Sequence, residues 1–375
     1  MFNQLDTLTL QMYWWIIVSL LAGLLVFMFF VQGGQTLLWQ IGKNEEEKTM
    51  LVNSLGRKWE LGYTTLVLFG GAMFAAFPLF YSVSFGGAYW VWLSILFSFT
   101  IQAVSYEFRK KQNNFLGAKT YETFLLINGT LGVILIGTAV ATMFSGANFE
   151  RGEFNFSIWK HPLRGLEAAF NLFNVLLGIA LFFLARTMGA MYFLNNIDDE
   201  VIRERSRKEV GINFAAFLPA FLVFAVWLLL RSGLDTSNAM PAMQPYKYAL
   251  SLVQMPAVSI LLVTGVALVL YGVYASWFQN SKNGLWFTGP GTVLTVFSVL
   301  LLAGLNHASF YPSNADIKSS LTIQNASSSR FTLVTMSYVS LFVPVVLGYI
   351  AFVWRAMDSK KMTREEGQNP DSSAY

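Results

Sequence analysis

The sequence has no cysteine and only two histidines, His161 and His307. Without cysteine there are no disulfides, no thiolate metal sites and no covalently attached c-type haem. Two histidines leave little room for metal or haem ligation. Charge is scarce too: Asp, Glu, Lys and Arg make up 12% of 375 residues, about half the share usual in a soluble domain. No Walker loop, HExxH pair, Ser-His-Asp set or glycine-rich dinucleotide fingerprint occurs. No basic run with interleaved aromatics suggests a nucleic-acid partner.

What is present is hydrophobic. Apolar residues form 55% of the chain, mean hydropathy is +0.50, and they come in blocks about 20 residues long, the length a helix needs to cross a bilayer. The blocks predict nine spans: Met12–Val31, Leu61–Ser82, Ala88–Tyr106, Glu122–Phe144, Leu166–Phe193, Ile212–Leu230, Ala249–Phe278, Leu285–Leu305 and Thr332–Trp354. The fold class is therefore an all-α integral membrane protein. Four spans, a charged loop at Asp198–Lys208 and then further spans allow two four-helix bundles plus one peripheral helix. Met1–Gln11 has no Lys or Arg and no small-residue cleavage site, so the first block reads as a permanent span. Residues 1–357 read as one polytopic domain and 358–375 as a polar cytoplasmic tail. Gln35–Leu55 and Phe154–Pro162 are less apolar and read as surface or interfacial segments.

Orientation follows from the basic residues of the connections. With the N-terminus outside, the inner segments hold seventeen Lys and Arg against seven in the outer ones, and only Arg186 falls inside a span. The C-terminus is then cytoplasmic. Trp and Tyr near block ends (Tyr13-Trp14-Trp15, Tyr89-Trp90, Trp277, Trp354) are expected to form interfacial belts. Pro219, Pro256, Pro290 and Pro344 are expected to mark kinks.

Ionisable groups at membrane depth are functional candidates. Trp59-Glu60 opens the second span. Glu60 fits either a helix N-terminus favoured by the macrodipole or a proton-carrying carboxylate at the mouth of a path. Glu107 closes the third span; it sits two residues from Arg109, so the two do not face each other. Arg186 needs an acceptor, and Glu167, about 28 Å away along a helix, cannot supply it within one straight span. In Gln32-Gly33-Gly34-Gln35 two amides could hydrogen-bond water or a close neighbour but could not titrate near neutral pH. No span carries a histidine, so the chain is a poor haem carrier, and it offers no metal site. A secondary transporter, or a quinone-binding anchor of another respiratory complex, is also compatible with the span count. A transporter, however, would be expected to show a midplane polar cluster and an internal repeat.

The ordered motifs narrow this. Trp14-Trp15, Gly42-Lys43-Asn44, Asn53-Ser54, Trp59-Glu60, Gly70-Gly71-Ala72-Met73-Phe74-Ala75-Ala76-Phe77-Pro78, Glu107-Phe108-Arg109, Phe310-Tyr311-Pro312-Ser313, Ser320-Leu321-Thr322-Ile323 and Asn325-Ala326-Ser327-Ser328-Ser329 resemble subunit 2 of cytochrome bd-type quinol oxidases, the smaller, haem-free membrane subunit. The resemblance runs from about Tyr13 to Lys361. It implies nine helices in two four-helix bundles plus a peripheral helix, in the bacterial cytoplasmic membrane. It implies a larger partner subunit holding two haems b and one haem d, with quinol oxidised outside, oxygen reduced to water and protons drawn from the cytoplasm. Small single-span subunits, lipid and a bound quinone are further implied partners. This chain itself would ligate no cofactor and would contribute stability and part of a proton path. Glu60 and Glu107 stand at acidic positions of that path, with Trp59, Arg109 and Arg186 as structural or partner-contact residues. Gln32 and Gln35 stand where many members carry Asp, and an amide cannot release a proton.

Overall fold

The computed structural model describes residues 2–111, 113–238 and 240–363. Its helices, in chain order, are α1 (Thr7–Met28), α2 (Phe30–Gln35), α3 (Leu38–Ile41), α4 (Glu45–Gly56), α5 (Trp59–Ala76), α6 (Pro78–Phe80), α7 (Tyr89–Phe108), α8 (Ala118–Ile127), α9 (Val133–Ser145), α10 (Leu172–Asn196), α11 (Glu200–Leu230), α12 (Lys247–Gln254), α13 (Pro256–Trp277), α14 (Leu285–Gly304), α15 (Arg330–Ser340) and α16 (Val343–Met357). Two small hairpins join Phe149–Arg151 to Ser157–Trp159 and Gly233–Asp235 to Ala242–Gln244.

Among the described residues, seven helices are long and apolar enough to cross a membrane, and two bent pairs raise the number to nine. One pair breaks between Ala76 and Pro78 by 117°, the other between Ser340 and Val343 by 41°. At the first break the Pro78 ring leaves Phe77 outside helical geometry (φ −131°, ψ 62°). The expected second span is therefore broken at Phe77 and bends sharply into α6 and the turn Tyr81–Gly86. The expected seventh span is likewise split, because Pro256 starts α13 after a non-helical Met255. Pro219 and Pro290, by contrast, lie within continuous helices. Asp198–Lys208, expected as a loop, is mostly the first turns of α11, capped by the Asp199 carboxylate accepting from the Ile202 amide at 2.9 Å.

One four-helix group comprises α1–α2, α5, α7 and α8–α9; the other comprises α10, α11, α13 and α14. They join where α10 packs on α2 and α9 and where α1 packs on α14, while α15–α16 lies peripherally against α1 and α5. The seam between the groups is narrow because it is built on glycine. A Cβ on Gly33 would fall 1.9 Å from the carbonyl oxygen of Ala185, and one on Gly189 would fall 2.4 Å from the Gly34 amide. Small residues that let backbones touch are the usual means of helix association in lipid, where burying apolar surface gains little.

Two expectations about surfaces are corrected. Gln35–Leu55, read as a surface or interfacial segment, is exposed only around Trp39–Gln40 and Lys43–Glu45: α3 and α4 tuck beneath the helix groups, burying Leu38, Ile41, Met50, Leu51 and Leu55. Asn44 caps α4 by accepting from the Glu47 amide at 2.8 Å, and Ser54 donates to Asn196 at 2.7 Å. Trp14, Trp15 and Trp354 are buried rather than belted at an interface. Their indoles need partners away from water, and those of Trp14 and Trp15 donate to Ser337 and to the Leu300 carbonyl at 3.1 and 3.0 Å. Tyr89, Trp90 and Trp277 are exposed.

The helix groups have two ends, here called the N-terminal face, which carries residues 2–6 and the long connections, and the basic face. At the basic face the fully buried Lys58 ammonium meets Asp358 at 2.9 Å and lies 4.9 Å from the centre of the Trp354 ring. Asn196 also donates to Asp358, at 3.0 Å, and the Met362 amide donates to the Asn196 carbonyl at 3.0 Å. Residues 358–363, the described part of the polar tail, are thus strapped across this face; residues 364–375 lie outside the described residues.

Candidate functional site

Gln32 and Gln35 sit one helical turn apart on α2 and face α7, where Gln102 and Tyr106 are spaced by four residues. Gln35 donates to the Tyr106 hydroxyl at 3.0 Å, and Gln32 donates to the side-chain amide oxygen Oε1 of Gln102 at 3.4 Å. Four residues further along α7, the Ser98 hydroxyl accepts from Asn128 at 3.4 Å. Asn128 opens a π-type turn, Asn128–Gly132, between α8 and α9. Such a widened turn is frequent at functional positions. Here it accompanies the close approach of Gly129 to α2, where a Cβ would fall 2.3 Å from the Gln32 carbonyl oxygen.

These contacts form a ladder of three neutral rungs that starts at Tyr106, near the basic face, and rises about 12 Å along α7. All six side chains, Gln32, Gln35, Ser98, Gln102, Tyr106 and Asn128, are buried. The ladder is incompletely paired among the described residues. Gln32 Oε1, Gln35 Oε1, Gln102 Nε2 and Asn128 Oδ1 have no hydrogen-bond partner. A buried polar group left so costs about 1–3 kcal/mol, and ordered water is the usual remedy where several such groups converge. The arrangement can therefore bind and orient water. With no carboxylate in it, it cannot itself give up a proton.

Below the ladder the Trp59 ring stacks on Tyr106 at 5.6 Å and 9°. Glu60, the next residue, is exposed in the first turn of α5, so it lies outside the ladder and the structure does not bring it against Gln32 or Gln35. Glu107 also stands apart: its side chain is half-exposed and pairs with Lys111 at 2.6 Å. Arg109 is buried and turns to Glu122, with Nη2 at 2.6 Å and Nε at 3.2 Å from Glu122 Oε1. Trp39 and Lys48 donate to the other Glu122 oxygen at 2.8 and 3.2 Å, and Glu45 meets Arg109 at 3.1 Å.

Arg186 lies on the opposite side of α2 and finds its acceptors within this chain. It donates to Asn213 at 2.5 Å and to the Thr36 hydroxyl at 2.9 Å, with Glu209 at 3.6 Å. Sequence reasoning missed Gln102, Tyr106, Asn128, Glu122 and Glu209. The amides had a signal, being polar residues inside apolar blocks. Glu122 and Glu209 had none, since each sits where a span was expected to meet a loop.

Neither histidine lies in a span. His161 and His307 are in connections at the N-terminal face, and no group of three His, Asp or Glu side chains among the described residues could hold a metal ion.

Comparison with known proteins places this geometry. The model of the family described as cytochrome bd terminal oxidase subunit II matches residues 10–357. The chain is 24% identical to cytochrome bd-I ubiquinol oxidase subunit 2 of Escherichia coli (strain K12), over 99% of this chain and 100% of that one. It is 26% identical to cytochrome bd ubiquinol oxidase subunit 2 of Bacillus subtilis (strain 168), over 93% of this chain and 98% of that one. Among solved structures, bd oxidase from Geobacillus thermodenitrificans shares the fold, with a TM-score of 0.60, 11% identity, and coverage of 92% of this chain and 98% of that chain.

Proposed function

The chain belongs to the cytochrome bd terminal oxidase subunit II family, and on that premise we propose that it is the haem-free accessory subunit that steadies subunit I and carries protons toward it from the cytoplasm. Membership makes it a multi-pass component of a haem-containing terminal quinol oxidase of the bacterial inner membrane, with subunit I as its partner. It supersedes the transporter reading and the reading as an anchor of another complex. In our reading the two haems b and the haem d are on subunit I, where quinol is oxidised and oxygen is reduced. The basic face is cytoplasmic and the N-terminus outside, as the bias of Lys and Arg favours.

The observation that carries the proton role is the neutral ladder at the basic face. Its unpaired amide atoms suit a short file of waters, which can pass protons without a titrating side chain among them. Glu60, exposed at the head of α5 beside Trp59, is the carboxylate that exchanges protons with the cytoplasm, and Glu107 is a second surface acid on α7. A lipid or quinone tail would suit a largely apolar crevice of about 80 Å³ among α10, α11, α13 and α14, lined by Leu181, Phe217 and Val269 with Thr292 and Thr295.

The test is Glu60→Gln in the assembled complex, with the optical spectrum confirming the haems. Quinol-dependent oxygen uptake should slow severalfold with the spectrum unchanged. Unchanged turnover would remove Glu60 from the path.

A further inference from the structure

A second polar site lies at the N-terminal face, far from the ladder. The connection between α9 and α10 folds over the ends of α7, α9 and α10 and borders a partly open cavity of about 90 Å³, lined among others by Trp92, Asn148, Trp159, Glu167, Tyr311 and Asn314. That is room for several water molecules. Glu167 is the acidic group on its wall, and its side chain is only 15% exposed. One carboxylate oxygen, Oε2, accepts from the Gly165 amide at 2.7 Å. The other, Oε1, is buried and has no partner.

Among the described residues, no Lys or Arg side chain pairs with Glu167. His161 Nδ1 lies 3.5 Å from Glu167 Oε2, but that nitrogen already accepts from the Leu163 amide at 3.2 Å. The contact is to Oε2, so Oε1 is left without a partner. The basic residues of the same connection are turned elsewhere. Lys160 pairs with Glu150 at 2.6 Å, Arg164 lies over Tyr89 at 5.3 Å, and Arg151 donates to the Lys318 carbonyl at 2.7 Å.

A buried carboxylate oxygen with neither donor nor counter-charge is costly, and the cavity beside it is shaped for what would relieve it. The walls combine hydroxyl and amide groups with two indole rings, surfaces that accept a positive charge through oxygen lone pairs and ring faces. One carboxylate balances one charge. The absence, among the described residues, of three clustered His, Asp or Glu ligands argues against a divalent or transition-metal ion. We propose that this cavity binds one small monovalent cation, an alkali ion or ammonium, against Glu167 Oε1 with the rings of Trp92 and Trp159 beside it. The site would tie the α9–α10 connection to the helix ends, and it is independent of the proton path.

The experiment uses the purified native complex. Its thermal unfolding midpoint is followed while sodium, potassium or ammonium replaces the bulky cation N-methylglucamine at constant ionic strength. A saturable rise with at least one small cation is expected, since a ligand that binds only the folded state stabilises it by mass action. Glu167→Gln should weaken that response roughly tenfold or more, in line with losing a charged hydrogen-bond partner. Ala139→Met, which fills the cavity and leaves the carboxylate in place, should abolish it even if Glu167→Gln fails to assemble. A midpoint that ignores which cation is present, leaving water as the only occupant, overturns the proposal. So does an undiminished response in either variant.

Discussion

Arg109 and Glu122 face each other across the basic ends of α7 and α8, both buried, with Nη2 and Oε1 2.6 Å apart. A buried pair of this kind adds little over a well-packed apolar pair, but removing Glu122 leaves the buried Arg109 with only the exposed Glu45 as a counter-charge and costs up to about 3–5 kcal/mol. Glu122→Ala should therefore sharply lower the unfolding midpoint of the complex, while Arg109→Met/Glu122→Leu should recover most of the loss. A double variant no better than Glu122→Ala would show that the two residues act separately.

The glycine seam makes a contrast that can be measured in assembly yield. A methyl on Gly33 collides with the Ala185 backbone, whereas one on Gly62 would meet its nearest atom only at 3.8 Å. Gly33→Ala should cost about 1–3 kcal/mol or more through forced separation of α2 from α10, with a clear fall in assembled complex. Gly62→Ala should assemble normally. Equal yields for the two would mean that the seam tolerates widening.

The amide ladder predicts non-additive substitutions. Gln102→Leu alone removes the acceptor of Gln32 and should destabilise by about 1–3 kcal/mol. Gln32→Leu/Gln102→Leu removes both partners and should be closer to neutral in stability. It should also dry the ladder and slow proton uptake during turnover, followed with a pH-indicator dye. A double variant that takes up protons at the normal rate would exclude the ladder from the path.

At the N-terminal face, Lys247 bonds Asp235 and the Asn306 carbonyl. Burial pushes the Asp235 carboxyl up, but hydrogen bonds from Lys247 and Ser237 outweigh it and bring it down to about 2. A carboxyl depressed from 3.8 stabilises the fold fully above its unfolded value and loses that contribution as pH falls through about 4 toward 2. The amount is about 2 kcal/mol. Unfolding midpoints measured from pH 6 down to pH 3 should fall more steeply for the native chain than for Asp235→Asn, and parallel slopes would contradict the assignment.

The sequence shows the spans because crossing hydrocarbon requires long apolar blocks, and nine such blocks were legible. It does not show where spans break. Phe77-Pro78 sits within one continuous apolar run, and proline is tolerated in some spans of this chain (Pro219, Pro290) but ends helices in others. Partner choice was also out of reach. Arg109 takes Glu122, thirteen residues away through a turn, and Arg186 takes Glu209 from the neighbouring helix. Both choices depend on helix rotation, which uniformly apolar spans do not encode. Gln32 and Gln35 were legible as odd residues. That they form a ladder required Gln102 and Asn128 to be placed opposite them.

The Lys58–Asp358 pair also sets a timetable. Its members are 300 residues apart in the chain, so at about 5–20 residues per second a ribosome needs about 15–60 s to supply the second after the first. During that interval Lys58 has no Asp358 to meet, and the basic face stays hydrated or open. A nascent chain cut short anywhere before the ninth span would carry that unmet ammonium for good. Asp358, just past the end of α16, thus closes the basic face only once α16 has been made.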